Sequence, residues 1–325
     1  MTNSLQQPLG SGFDATSTAR EVLDGVDLTG RTAVVTGGYS GLGLETTRAL
    51  IAAGARVIVP ARRPDLAAER LTGTDRARVS VAAMDLSDLR SVANFAQGLH
   101  RTTDRVDLVI AAAGVMATPE RRVGPGWESQ FAINHLGHFA LVNLLRPMLG
   151  KGSRVISYSS AGHHLSDIRW DDLHFAGGYD KWLAYGQAKT ANVLFAAQLD
   201  ALGRDAGVRA FSLHPGAIIT ELQRDLSRAE QMDRGWVDAE GNVVGKGFKT
   251  AEQGAATGLW AAASSRLDGM GGLYCEDCDL APVADPAGSM ADGGVRAHAI
   301  DPESAVRLWA LSTELTGVDA GWTVH

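Results

Sequence analysis

The 325-residue sequence is poor in cysteine, proline, lysine and long apolar runs, and each shortage removes a class of protein. Two cysteines, Cys275 and Cys278, are too few for a disulfide framework, so a reducing cytoplasm is the compartment that fits. Ten prolines and the lack of a three-residue glycine period exclude collagen-like and low-complexity chains. The longest apolar run, residues 108–117, is too short to cross a bilayer, and the chain opens on polar residues without a basic start. Neither a membrane span nor a secretory signal is expected. Lys and Arg number 30 against 37 Asp and Glu, a net charge of −7 with no run of five like charges, which argues against nucleic acid and anionic membranes as partners.

Glycine is in surplus: 38 residues where an average chain of this length carries about 23. At 45% hydrophobic and 21% charged, the chain has the material for a large core. Residues 1–30 are polar and turn-rich and read as a loose arm that packs on the body from Glu21-Val22-Leu23 onward. Short β-branched runs then recur at 32–36, 56–59, 79–83, 106–112, 154–159, 208–214 and 273–275. Between them lie helical patterns, among them one closing at Gly54 and others at 87–99, 127–149, 182–202, 251–263 and from Pro302. Alternating strands and helices predict an α/β fold: a doubly wound parallel sheet of about seven strands with helices on both faces, in a single domain over 31–325. The polar stretch 220–249, with four glycines, reads as a mobile lid.

The turn after the first strand reads Thr36-Gly37-Gly38-Tyr39-Ser40-Gly41-Leu42-Gly43. Glycines let the backbone approach a phosphate, and the helix that follows offers free N–H groups and the positive end of its dipole. The spacing is T-G-x-x-x-G-x-G, distinct from the G-x-G-x-x-G fingerprint of other Rossmann-like dinucleotide folds. At the end of the second strand, where an acid would bind a ribose 2′-hydroxyl, the chain has Arg62-Arg63. A guanidinium there pairs with a 2′-phosphate, favouring NADP(H) over NAD(H).

Tyr185 and Lys189 stand four residues apart, on one face of a helix, where an ammonium can lower the phenol's pKa and fit it for acid–base work. With five tyrosines and five lysines in the chain, a pair at that spacing is expected by chance well under once.

These motifs resemble those of the short-chain dehydrogenase/reductase family, in the branch of the retinol dehydrogenases and WW-domain oxidoreductases, over nearly the whole chain. The family's glycine motif falls on Gly37, Gly41 and Gly43, with Tyr39, Ser40 and Leu42 between them, and its Tyr-x-x-x-Lys on Tyr185 and Lys189. Its catalytic serine falls on Ser160 and its catalytic asparagine on Asn134. The resemblance further implies cofactor contacts from Asp85, Leu86, Ala112, Gly114, Pro215, Gly216 and Thr220, besides Tyr185 and Lys189. It implies hydride transfer between a nicotinamide and a carbonyl or alcohol. Ser160 binds the carbonyl oxygen, Tyr185 supplies the proton, Lys189 holds the ribose and lowers the phenol's pKa, and Asn134 helps hold a water linking Lys189 to solvent. Relatives are often homodimers or homotetramers built on the helices carrying Asn134 and Tyr185, so the resemblance allows either assembly here, with an N-terminal arm that could block that surface. One departure is Ala111-Ala112-Ala113-Gly114 where the family writes Asn-Asn-Ala-Gly.

A catalytically silent nucleotide sensor or scaffold is the alternative, and the presence of both Tyr185 and Lys189 argues against it. A nucleotide-sugar epimerase would need a different glycine turn. His163, His164 and His174 lack paired metal-ligand spacing, so no metal is expected and their loop is assigned to the substrate side. Cys275-Glu276-Asp277-Cys278 has redox spacing but follows a late strand among acids that raise thiol pKa values. Leu222, Leu226, Met232, Trp236, Trp170, Phe175 and Trp182 supply the apolar wall expected for a ring-bearing or otherwise apolar carbonyl substrate.

Overall fold

The computed structural model describes residues 5–322. In chain order the elements are α1 (Ala19–Val22), β1 (Thr32–Thr36), α2 (Gly41–Ala52), β2 (Arg56–Ala61), α3 (Pro64–Arg70), β3 (Val79–Ala83), α4 (Leu89–His100), β4 (Leu108–Ala111), β5 (Arg122–Val123), β6 (Trp127–Glu128) and α5 (Ser129–Phe131). A π-helical turn (Ala132–Leu136) leads into α6 (Gly137–Leu145). Then come β7 (Arg154–Tyr158), α7 (Lys181–Gly203), β8 (Arg209–His214), α8 (Arg228–Asp233), α9 (Ala251–Ala263), β9 (Leu273–Glu276), β10 (Asp279–Leu280) and α10 (Pro302–Thr316).

Eight strands form one sheet in the order β10-β9-β8-β7-β4-β1-β2-β3, parallel throughout except for β10, which runs antiparallel to β9. Successive residues of a strand face opposite sides, and β1 shows the result: Val34 packs with Phe139 and Phe195 on one face, Val35 with Leu50, Leu259 and Trp260 on the other. Strand order reverses between β1 and β4, which opens a crevice at their C-terminal ends. No helix among the described residues is long and apolar enough to cross a membrane.

The structure departs from these expectations at several points. The helix expected over about 127–149 begins at Ser129 and runs through the π-helical turn and α6 to Met148: β5 and β6 pair as a hairpin around Gly124 and Gly126, both at positive φ, and Glu128 caps α5 by accepting from the N–H groups of Gln130 and Phe131. The sheet gains an eighth strand, β10, and α3 fills the β2–β3 connection, too short and polar to show a 3.6-residue stripe.

The N-terminal arm is tied down from Gln6 on. The Gln6 side chain is wholly buried and acts as a strand-edge mimic, donating to the carbonyls of Tyr274 (2.8 Å) and Ala281 (2.6 Å) and accepting from Tyr274 N–H (3.0 Å). Leu9 and Ser11 donate their N–H groups to the Asp279 carboxylate. Lastly, among the described residues it is α10 and not the arm that covers α6 and α7: Trp309 stacks on Phe195 of α7 at 5.8 Å and meets Phe139 of α6 edge-on at 4.9 Å.

Candidate active site

The glycine loop after β1 is shaped by close approach. A Cβ on Gly43 would lie 2.3 Å from the Gly37 carbonyl oxygen, and one on Gly37, at φ +68°, would meet Ala113 Cα at 3.0 Å. Ser40 enters α2 without a side-chain cap, so no side chain competes for the helix's first N–H groups. A cleft of about 230 Å3 opens here, lined by Gly37, Tyr39, Ser40, Gly41, Leu42 and Gly43 from the loop and by Arg62 and Arg63 from the end of β2. Asp85 and Leu86 after β3, Ala112 and Gly114 after β4, and Thr220 beyond β8 also line it, as do Ile133 and Arg224. Thr220 lies over the loop, its Cβ 3.3 Å from where a Gly41 Cβ would sit. Pro215 and Gly216 do not line this cleft; the Lys249 stem covers Gly216, 2.6 Å from the place of its missing Cβ.

Beyond Gly114 the second half of the site begins. Lys189 Nζ lies 3.9 Å from where a Gly114 Cβ would stand and donates to the Tyr158 carbonyl (2.8 Å). One turn back on α7, the Tyr185 ring has its centroid 5.6 Å from that nitrogen. Ser160 ends its strand extension and its Oγ accepts from Gly162 N–H (3.0 Å), which leaves the hydroxyl proton free to be donated. Gly162 was not singled out in the sequence, yet a Cβ there would collide with the Tyr185 ring at 2.7 Å and lie 3.4 Å from Ser160 Oγ. Asn134 sits in the π-helical turn, its side chain donating to the Val115 carbonyl and accepting from the Val115 N–H, both at 2.9 Å. Its own carbonyl receives Asn192 Nδ2 (2.8 Å) and His138 Nδ1 (3.0 Å), so both lone pairs of that oxygen are engaged within the protein.

Electrostatics differ from the expectation that Lys189 lowers the phenol. Burial pushes Tyr185 up to about 12, with only the Ser160 hydrogen bond pulling the other way, and pushes Lys189 down to about 7. Desolvation outweighs any help from Lys189, whose nitrogen lies 5.6 Å from the ring centroid. Tyr185 therefore keeps its proton at neutral pH.

A model of the short chain dehydrogenases matches residues 31–231. The chain belongs to the short-chain dehydrogenase/reductase family. A Streptomyces lividans protein named "Probable oxidoreductase" is 44% identical over 297 residues, 89% of this chain and 98% of that protein. Human retinol dehydrogenase 12 is 33% identical over 299 residues, 90% of this chain and 88% of its own, which places this oxidoreductase in that branch. Among solved structures, an uncharacterized protein from Mycobacterium paratuberculosis superposes with a TM-score of 0.72 at 32% identity, covering 95% of this chain and 100% of that one. Members of the family bind a nicotinamide dinucleotide, and the glycine cradle beside β1 fits one: its floor is bare backbone that any Cβ would fill.

In this short-chain dehydrogenase/reductase the sequence-assigned apolar wall divides. Leu226 packs with Tyr185, Met116 and Ala117, and Leu222, Trp182 and Trp236 close over them. Met232 is exposed, Trp170 belongs to a different cluster with Phe131 and Leu308, and Phe175 is buried against Tyr179 and Arg169. These three do not join the wall. Met116 and Ala117, which do, close the apolar run 108–117 beyond the end of β4, where the run itself did not mark them as wall residues.

The Asn-Asn replacement also has a visible consequence. Ala111 pairs with Ser157 across β4 and β7, and the Ser157 hydroxyl is buried without a partner. Thr36 braces the turn in place of the amides, its Oγ1 accepting from Ala113 N–H (3.0 Å) and meeting His138 Nε2 at 2.9 Å. The C-x-x-C forms the β9–β10 turn with Asp277 and Cys278 both at positive φ, and burial drives the thiols up, Cys278 to about 11 and Cys275 further.

Proposed function

We propose that the enzyme interconverts a ketone or aldehyde and the corresponding alcohol on an apolar or ring-bearing small molecule, with NADP(H) as cofactor. The observation that carries this is the meeting of Ser160, Tyr185 and Lys189 beside Gly114, at the inner end of the glycine cleft. The dinucleotide, which the Gly37–Gly43 loop, Arg62, Asp85, Leu86, Ala112, Gly114 and Thr220 would hold, supplies the hydride when bound; Pro215 and Gly216 would reach it only with the Lys249 stem displaced. Ser160 donates its free hydroxyl proton to the substrate oxygen and fixes its place. Tyr185, protonated at neutral pH, delivers a proton to the same atom. Lys189 offers its remaining N–H groups to a ribose hydroxyl, and Asn134 holds the Ala113-Gly114-Val115 turn in register through its paired bonds to Val115.

Arg62 and Arg63 at the cleft, with no carboxylate at that strand end, support the 2′-phosphate. Residues 220–249 form the substrate lid in this reading. Their neck is closed by the Ala217–Phe248 bridge, and ion pairs clasp them to the body: Arg70 with Glu221 at 2.6 Å, and Lys181 with Glu230. Purified protein with NADPH and a panel of ketones and aldehydes, followed by nicotinamide absorbance, tests the reading. Tyr185→Phe should lower turnover at least about 100-fold with NADPH binding unchanged. Retained turnover in that variant overturns the mechanism.

A further inference from the structure

Ser160 is held through its carbonyl as well as its hydroxyl. The carbonyl oxygen accepts from the main-chain N–H of His163 (3.0 Å) and from His163 Nδ1 (2.7 Å). On the far side of the same ring, the main-chain N–H of Arg296 reaches Nε2 at 3.1 Å. A main-chain amide can only donate, so Nε2 keeps its lone pair and the ring proton resides on Nδ1, aimed at Ser160. The ring is wholly buried against Tyr274 and His164, with centroids at 5.1 and 4.4 Å. Burial holds its pKa near 3, which keeps the ring neutral. His163 also anchors the neighbouring helix: its carbonyl accepts from Thr190 Oγ1 (3.2 Å), one residue past Lys189, and lies 3.2 Å from His298 Nε2.

Arg296 belongs to a loop that closes on itself. Val283 and Val295 form a parallel bridge, and the Arg296 guanidinium donates to the carbonyls of Asp285 (2.6 Å), Pro286 (3.2 Å) and Gly288 (2.6 Å). The N–H that fixes the imidazole is therefore presented only when residues 283–296 are folded into place.

We propose that His163 is a positioning residue for Ser160, and that through it the placement of this serine depends on docking of the 283–296 loop. The proposal rests on the reading of Ser160 and Tyr185 given above. His163 does not touch substrate in this scheme; it sets where the serine hydroxyl stands relative to the phenol.

Two pairs of variants test it, with NADPH and phenanthrenequinone as the probe substrate. His163→Phe fills the ring's space but can neither donate nor accept, whereas His163→Gln can do both. The Phe variant should lose about tenfold or more in kcat with KM for NADPH within about twofold, and the Gln variant should recover most of the loss. Arg296 already has φ −68°, a proline value, so Arg296→Pro deletes the N–H without forcing that angle, while Arg296→Ala removes the side chain and keeps the N–H. Arg296→Pro should fall about tenfold in kcat below the wild type, and Arg296→Ala, which keeps the N–H but loses the three bonds that close the loop, should fall between them. Imidazole nitrogen NMR should show Nδ1 protonated in the wild type and a mixed tautomer in Arg296→Pro. Wild-type kcat in Arg296→Pro, or a wild-type ring protonated on Nε2, overturns the proposal. Turnover that survives in Tyr185→Phe overturns the functional reading instead, and the tautomer measurement, which needs no turnover, keeps the two failures apart.

Discussion

The two ends of the sheet are built by different means. On the β3-β2-β1-β4 side the cofactor cleft is shaped by backbone: Gly37, Gly43 and Gly114 leave room that no side chain could share, and the walls follow from strand ends. On the β8-β9-β10 side the architecture is stapled by ordinary polar side chains: Gln6 on Tyr274 and Ala281, Asp279 on Leu9 and Ser11, Lys249 on Asp277, and Arg296 on its own loop. A wall made of backbone tolerates no Cβ, so it fails abruptly. A wall made of staples fails one hydrogen bond at a time.

The sharpest test of that contrast is Gly43→Ala. Its methyl would stand 2.3 Å from a main-chain oxygen that has nowhere to go, and NADPH affinity should drop more than about 100-fold, read by fluorescence titration. A drop of only a few fold would mean that the loop yields, and the contrast with it.

Acid comes next in size. His135, His138 and His163 are buried and held neutral, near 3, 4 and 3, against about 6.5 in the unfolded chain. Between pH 6.5 and 4 the unfolded state binds more protons, so stability is full above 6.5 and is lost as pH falls toward the folded values, at up to about 1.4 kcal/mol per group per pH unit. Denaturant midpoints of the apoprotein should fall steeply from pH 6.5 to 4; a flat profile would refute neutral burial.

Gln6→Ala should cost about 1–3 kcal/mol, because it orphans the carbonyls of Tyr274 and Ala281 and the N–H of Tyr274, with NADPH affinity untouched. If cofactor binding moved in step with stability, the two halves would not be separable. The smallest effect is expected at a side chain of the proposed cofactor site: Arg62→Ala should weaken NADPH about tenfold and NADH hardly at all. Equal losses would refute the 2′-phosphate assignment.

The same contrast explains what could be read from the sequence. Backbone walls require glycine at fixed local spacing, and Gly37, Gly41, Gly43 and the Tyr185/Lys189 pair are local signals within a strand, turn or helix. Seven of eight sheet strands were legible for the same reason. The staples join residues far apart in the chain, and nothing in Gln6 or Arg296 distinguishes them from solvated polar residues. The helix start was placed two residues early because Trp127-Glu128 continues the helical pattern of hydrophobicity while the Glu128 side chain caps instead. Gly162 and His163 lay beside a residue already assigned, but their roles come from the folded approach of Tyr185 and Arg296. The phenol's raised pKa depends on burial, which spacing alone does not report.

The clasp of Gln6 on the far edge of the sheet has a consequence for the order of assembly. Its partners stand 268 and 275 positions downstream, so during synthesis the arm emerges early and has nothing to hold until β9 and the residue after β10 have been made. The first described stretch of chain is thus among the last to settle. Until it does, the carbonyl of Ala281 and the N–H of Tyr274 lack the Gln6 partners that satisfy them in the folded chain.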